Sequence, residues 1–235
     1  MKIIAGNWKM NLSLEEAIFL SENITSSKKN EIILFPPSLY ALKVKEIVSE
    51  KNIKVGVQNI FYEDFGAYTG EISCMMVKSS KLDYVLIGHS ERRKYFFEDD
   101  IIINKKLKSA IKHGLKVILC VGETLEERKI GNHFEVVKNQ VLSSIEGIDN
   151  FNSIAIAYEP VWAIGTGINA KPEDANEMHK FIKDIVNVKI LYGGSVNEKN
   201  AYELLSQEYI DGLLIGGASL NYISFNKIIE ISENI

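Results

Sequence analysis

Eight short apolar runs, with stretches of helical spacing between them, constrain this chain more than any other feature. The runs cover residues 2–7, 32–35, 53–57, 84–87, 115–121, 154–158, 188–192 and 212–215. They are rich in Ile, Leu and Val and largely lack polar alternation, the pattern of parallel strands buried on both faces. Between them, residues 12–26, 45–49, 104–112, 124–145, 172–185 and 198–205 carry helix formers with apolar stripes. Ser13 followed by Glu16 is a capping-box signature. Pro172 ahead of Glu173 and Asp174 marks a second helix start. Eight strand–helix units in 235 residues, with four prolines and no Pro-, Gly- or Ser-rich linker, predict one domain over 1–235. An open doubly wound sheet alternates too, but eight full units in this length fit a closed (β/α)8 barrel better.

Composition narrows the classes further. With 46% hydrophobic and 25% charged residues, the chain has too much apolar content for disorder. No apolar run approaches the ~20 residues that span a bilayer, and the apolar opening before Gly6 is too short for a signal peptide. A cytoplasmic protein with free thiols at Cys74 and Cys120 is therefore expected. The 27 basic and 31 acidic residues are dispersed, and no basic stripe suggests a nucleic-acid partner. A small anion stays possible, because backbone amides bind phosphate without changing net charge.

In such a barrel the chemistry sits at the C-terminal ends of the strands. The first run ends in Asn7-Trp8-Lys9 and the fourth in Gly88-His89-Ser90-Glu91-Arg92-Arg93. The sixth ends in Tyr158-Glu159-Pro160, the seventh in Gly193-Gly194-Ser195, the eighth in Gly216-Gly217-Ala218-Ser219. Polar groups from five strands thus converge on one rim. Glu159 is a structural ion-pair partner, a solvated rim residue or a carbon base. The apolar segment 160–167, bracketed by Pro160 and two glycines, could close over it and expel water. His89 precedes a helix start, whose positive end disfavours an imidazolium. Lys9 reads as an exposed strand-end lysine, a Schiff-base nucleophile or a charged contact to substrate. Glu91 suits a helix N-terminus, where the dipole favours an acid. The glycine pairs follow the two strands where barrels often bind phosphate. His113, His133 and His179 lie in helical stretches away from strand ends and read as structural. No Asp/His/Cys cluster has metal-ligand spacing.

These segments, with Gly6-Asn7-Trp8-Lys9-Met10-Asn11, the run from Ala157 through Gly167, and Tyr192-Gly193-Gly194-Ser195-Val196, resemble the triosephosphate isomerase family. The resemblance covers essentially the whole chain and implies a single-domain TIM barrel. It further implies a cofactor-free, metal-free isomerase of glycolysis and gluconeogenesis that interconverts dihydroxyacetone phosphate and D-glyceraldehyde 3-phosphate. By the same resemblance Glu159 is the carbon base, with His89, Lys9 and Asn7 as electrophiles and Glu91 positioning Lys9. Gly165, Ser195, Gly216 and Gly217 then hold the phosphate. Residues 58–70, with Phe61, Tyr62, Phe65 and Tyr68, form a loop too long for an ordinary connection. Four exposed aromatics would be a liability in a monomer. The loop either folds back on its own barrel or, as the family implies, docks into a second subunit with Thr69 near the partner's site. Cys120 reads as a packed thiol, and Cys74 has no functional reading. Rival readings are a Schiff-base aldolase of the same fold acting through Lys9 and a barrel kept only for binding. The short junction at 186–188 is expected on the N-terminal face, away from the chemistry.

Overall fold

The computed structural model describes residues 1–163 and 170–235. Around a closed, all-parallel barrel run β1 (Ile3–Asn7), β2 (Glu31–Phe35), β3 (Lys54–Val57), β4 (Tyr84–Ile87), β5 (Lys116–Val121), β6 (Ile154–Tyr158), β7 (Lys189–Tyr192) and β8 (Gly212–Ile215). Each strand pairs with its neighbour in sequence. The ring closes where β8 meets β1, from Ile3 opposite Gly212 to Gly6 opposite Ile215.

Side chains two residues apart share a strand face, and that period sorts the apolar residues into two layers. Ile3, Ala5, Ile33, Phe35, Leu86, Ile118, Cys120, Ala155, Ala157, Leu191 and Leu214 fill the barrel interior. Their neighbours, such as Ile4, Ile32, Val85, Val117 and Ile156, pack outward under the helices. Extending the inward rows past the strand ends reaches Asn7, Glu159, Gly193 and Gly216. The pleat that builds the core therefore also aims these four positions at the barrel mouth.

The helices are α1 (Leu14–Asn23), α2 (Ala41–Val48), α3 (Cys74–Ser79), α4 (Ser90–Phe96), α5 (Asp100–Lys112), α6 (Leu125–Lys129), α7 (His133–Ile145), α8 (Pro172–Ile185), α9 (Ala201–Leu205) and α10 (Tyr222–Glu233). The capping box forms as expected: Ser13 Oγ accepts from the Glu16 N–H at 3.3 Å, and Glu16 Oε2 accepts from the Ser13 N–H at 2.7 Å. Pro172 opens α8. One expected helix is two, however. Residues 124–145 divide into α6 and α7 because the chain turns through Gly131 at φ +78°, a left-handed position that favours glycine and ends a helix. The helix expected at 104–112 begins earlier, at Asp100, because Asp99 caps it by accepting from the Ile102 N–H.

The 186–188 junction lies at the N-terminal mouth of the barrel. There Asn187, Val188 and Lys189 surround a cavity with Met1, Glu31 and Tyr84, and Lys189 Nζ donates to the Met1 carbonyl at 2.9 Å. Among the described residues, no helix is long and apolar enough to cross a membrane.

The 58–70 loop corrects one expectation. Its four aromatics are not all exposed: Phe65 and Tyr68 are, whereas Phe61 and Tyr62 are half-buried. Phe61 stacks on Tyr62 with centroids 4.3 Å apart and tilts against Tyr68 at 4.6 Å. Asp64 ties the loop to the end of α5 through His113 Nε2 at 2.6 Å and Lys112 Nζ at 3.0 Å. Both cysteines are free and buried, and burial raises both thiols above their ordinary range.

Candidate active site

The base of the site is a left-handed residue. Lys9 leaves β1 at φ +52°, an uncommon conformation for a side chain with a Cβ. Two hydrogen bonds hold it there. Its N–H donates to Asn7 Oδ1 at 3.0 Å, and its carbonyl accepts from Gln58 Nε2 at 2.9 Å. Gln58 Nε2 also reaches the Phe35 carbonyl at 2.9 Å, so the ends of β1, β2 and β3 are joined through one amide. The Lys9 side chain then extends to Glu91 in the first turn of α4, with Nζ 2.7 Å from Oε1.

His89 caps α4: its Nδ1 accepts the Glu91 N–H at 3.2 Å. An accepting Nδ1 carries no proton, which puts the proton of the neutral ring on Nε2. Nε2 faces Glu159 Oε1 at 2.9 Å, and the Ser90 N–H donates to Glu159 Oε2 at 2.9 Å. Both groups are buried, Glu159 to 2% exposure. Burial works against an imidazolium at His89, yet the Glu159 carboxylate, helped by Glu91, leaves its pKa raised. The Glu159 and Glu91 carboxylates thus act on the imidazole in the opposite sense to the helix end. For Glu159 burial works upward, and His89, Ser90 and Lys9 together hold the carboxyl below its ordinary value.

Asn7, Lys9, His89 and Glu159 line a cavity of about 250 Å³ whose remaining wall, among the described residues, is Gly193, Gly194, Ser195, Val196, Leu214, Gly216, Gly217 and Ala218. A turn of 3-10 helix over Gly217–Leu220 starts at this wall, with Gly217 and Ala218 lining the cavity. Such backbone is a ready anion site. Ser195 Oγ donates to the Ala163 carbonyl at 2.6 Å, fastening the last described residue of the 160–163 segment to β7's exit. Gly165 lies outside the described residues. The structure thus brings together Asn7, Lys9, His89, Glu91, Glu159, Ser195, Gly216 and Gly217.

Three supporting residues escaped the sequence reading. Gln58 follows β3 directly, and Arg93 lies four residues after His89. Glu123, two residues beyond β5, is fully buried and accepts from Tyr158 Oη at 3.1 Å, Trp162 Nε1 at 2.9 Å and Arg128 at 3.2 Å. A polar residue just past a strand end was the available signal for Gln58 and Glu123. Among the described residues no group of three or more His, Cys, Asp and Glu side chains could hold a metal ion.

Comparison with known proteins gives the same architecture a family. The triosephosphate isomerase family model matches residues 2–232. The chain belongs to the triosephosphate isomerase family. Curated triosephosphate isomerases similar to it include that of Dictyoglomus thermophilum, 48% identical over 97% of this chain and 98% of the relative. That of Chloroherpeton thalassium is 47% identical over 99% of both chains, and that of Thermoanaerobacter pseudethanolicus 45% over 97% and 98%. Triosephosphate isomerases are isomerase enzymes, and the barrel with its polar C-terminal mouth is the frame in which this member of the family carries its residues.

Proposed function

We propose that this protein interconverts dihydroxyacetone phosphate and D-glyceraldehyde 3-phosphate through an enediolate, in glycolysis and gluconeogenesis. The observation that carries this reading is the buried Glu159–His89 pair, 2.9 Å apart, facing a cavity of about 250 Å³ with a glycine-rich wall. A triose phosphate bound there sets its phosphate on the backbone of Gly216, Gly217 and Ser195, with Gly165 as a further donor. Its carbonyl then lies toward Asn7, Lys9 and His89. A substrate carbonyl that enters between His89 and Glu159 breaks their contact. It moves the imidazole away from the charge that raises it and frees the carboxylate to act as a base.

Glu159 then takes a proton from carbon. The electron pair moves onto the carbonyl oxygen, where the Lys9 ammonium, the Asn7 amide and the His89 Nε2–H stabilise the developing charge. His89 relays a proton between the two oxygens, and Glu159 returns its proton to the neighbouring carbon. One carbon is oxidised as its neighbour is reduced, so no net redox change occurs, and the residues at the mouth supply every proton donor and acceptor without a cofactor. Closing loops exclude water from such sites, and triosephosphate isomerases are themselves a standing example. Residues 160–167 suit that part.

A homodimer through the 58–70 loop belongs to the same reading. Exposed Met10, Tyr95 and Phe96 rim a cavity of about 630 Å³ that opens beside Asn7, Lys9 and His89. A partner's loop, with Thr69 leading, fits that opening. Sedimentation at micromolar protein should give twice the 26.5 kDa chain mass; a monomer removes this part of the reading. A cytoplasmic location follows from the proposed metabolic role.

The test is a coupled assay of the purified protein on dihydroxyacetone phosphate, reading glyceraldehyde 3-phosphate oxidation. Turnover supports the proposal, and no turnover refutes it. A Schiff-base aldolase differs at Lys9, whose ammonium here is held by Glu91 rather than free to attack a carbonyl. Borohydride with substrate should therefore leave Lys9 unmodified.

A further inference from the structure

His89 is aimed by its own helix, but the peptide that carries it has a second support. Gly88 leaves β4 at φ +77°. Its carbonyl, immediately ahead of His89, accepts from Arg93 Nε at 2.9 Å. A terminal nitrogen of the same guanidinium donates to the Cys120 carbonyl in β5 at 3.2 Å. The other donates to Asp100 Oδ1, in the first turn of α5, at 2.6 Å. The residue after Cys120 is Val121, whose carbonyl receives the N–H of Glu159 at 2.7 Å. One planar fork thus joins the backbone behind His89 to the strand on which Glu159 hangs. Arginine suits this work, because its donors are fixed in one plane and aimed in different directions, whereas lysine offers one nitrogen on a flexible stem.

Arg93 is largely buried, with 18% of its side chain exposed, and it is not among the described residues lining the cavity. Its three bonds go to two carbonyls and a carboxylate, all behind the reacting groups. We infer that Arg93 is a positioning residue for the isomerisation, fixing the separation of His89 and Glu159 through the Gly88 and Cys120 carbonyls while Asp100 fixes the guanidinium. The inference rests on the roles proposed above for His89 and Glu159. The phosphate wall belongs to β7 and β8, so the clamp affects the chemistry and leaves anion binding alone.

The experiment compares wild type with Arg93→Met, Arg93→Lys and Asp100→Asn. It reads kcat, inorganic phosphate affinity and the ring 15N resonances of His89. A misplacement of about 1 Å at a reacting group can cost ~100-fold in rate. Arg93→Met is expected to lower kcat by roughly 10- to 100-fold on that scale. Phosphate affinity should stay near wild type, the His89 Nδ1 resonance should shift, and Arg93→Lys should recover part of kcat. Wild-type kcat with an unshifted His89 in Arg93→Met overturns the inference, even if the melting temperature falls. Should Arg93→Met not fold, Asp100→Asn decides: a smaller kcat loss with a shifted His89 supports the clamp, and neither change refutes it. If the wild type turns over no triose phosphate, the proposed function fails, while the His89 resonance still judges the clamp.

Discussion

Replacing Gly193 by alanine should damage the chemistry far more than the fold. A Cβ built on Gly193 lies 2.9 Å from Glu159 Cγ and 3.2 Å from the Tyr158 carbonyl oxygen. Carbon atoms rest comfortably at about 3.5–4.0 Å, so the Glu159 side chain must retreat by roughly 0.6–1 Å. It has no slack, because its carboxylate is bonded to His89 Nε2 and to the Ser90 N–H, both at 2.9 Å. A shift of that size in the proposed base predicts a fall in kcat of ~10- to 100-fold, or about 1.4–2.7 kcal/mol in the barrier. Overpacking a single methyl costs about 1–3 kcal/mol of stability, which leaves a domain of this size folded. The assay is steady-state turnover of dihydroxyacetone phosphate beside a thermal melt, with phosphate affinity as the control for the anion wall. A kcat within about twofold of wild type in the folded variant, well short of the ~10-fold minimum, would refute the claim that Glu159 works from this position.

Other perturbations separate stability from chemistry. Burial pushes His179 down to about 3, with the Tyr209 carbonyl partly opposing it. An unfolded histidine titrates near 6.5, so the unfolded chain takes up a proton that the folded chain refuses as pH falls from about 6.5 toward 3. Urea unfolding should therefore show wild type losing up to ~1.4 kcal/mol per pH unit across that window relative to His179→Gln, with no difference above pH 7; parallel curves would show the imidazole is not buried neutral. Glu91→Gln removes an ion pair whose partners are 26% and 42% exposed, so the melting temperature should barely move while kcat/KM falls by ~10-fold or more; a large melting shift with intact kinetics would reverse that assignment. Ser13→Ala breaks the α1 capping box and should cost about 1 kcal/mol in denaturant titration, leaving kcat untouched.

The barrel was readable because its strands are buried on both faces. The eight apolar runs match the strands to within about a residue at each end, since the same hydrophobic demand that marks them also buries them. Helix limits were less legible where a single residue decides them, as Gly131 does between α6 and α7 and Asp99 does ahead of α5. The amphipathic helix Tyr222–Glu233 escaped because it lies beyond the last strand, where no following apolar run marks its end. At the site, Asn7, Lys9, His89, Glu91 and Glu159 were visible as polar residues at strand ends. Their supports were not. The left-handed turn at Lys9, the Gln58 amide beneath it and the Arg93 fork depend on which strand ends are neighbours in space, and local sequence does not carry that. The opposite pKa shifts of His89 and Glu159 depend likewise on a contact between residues 70 positions apart.

The account turns on a proton taken from carbon by Glu159 and exchanged through an enediolate. The most direct measurement follows deuterium by NMR when wild type and Glu159→Gln are incubated with dihydroxyacetone phosphate in D2O. The account predicts glyceraldehyde 3-phosphate bearing deuterium at its carbon 2 with wild type, and a loss of at least ~1,000-fold in that rate with Glu159→Gln, whose amide is no base. Product formed without solvent deuterium, or undiminished exchange in the variant, would contradict it.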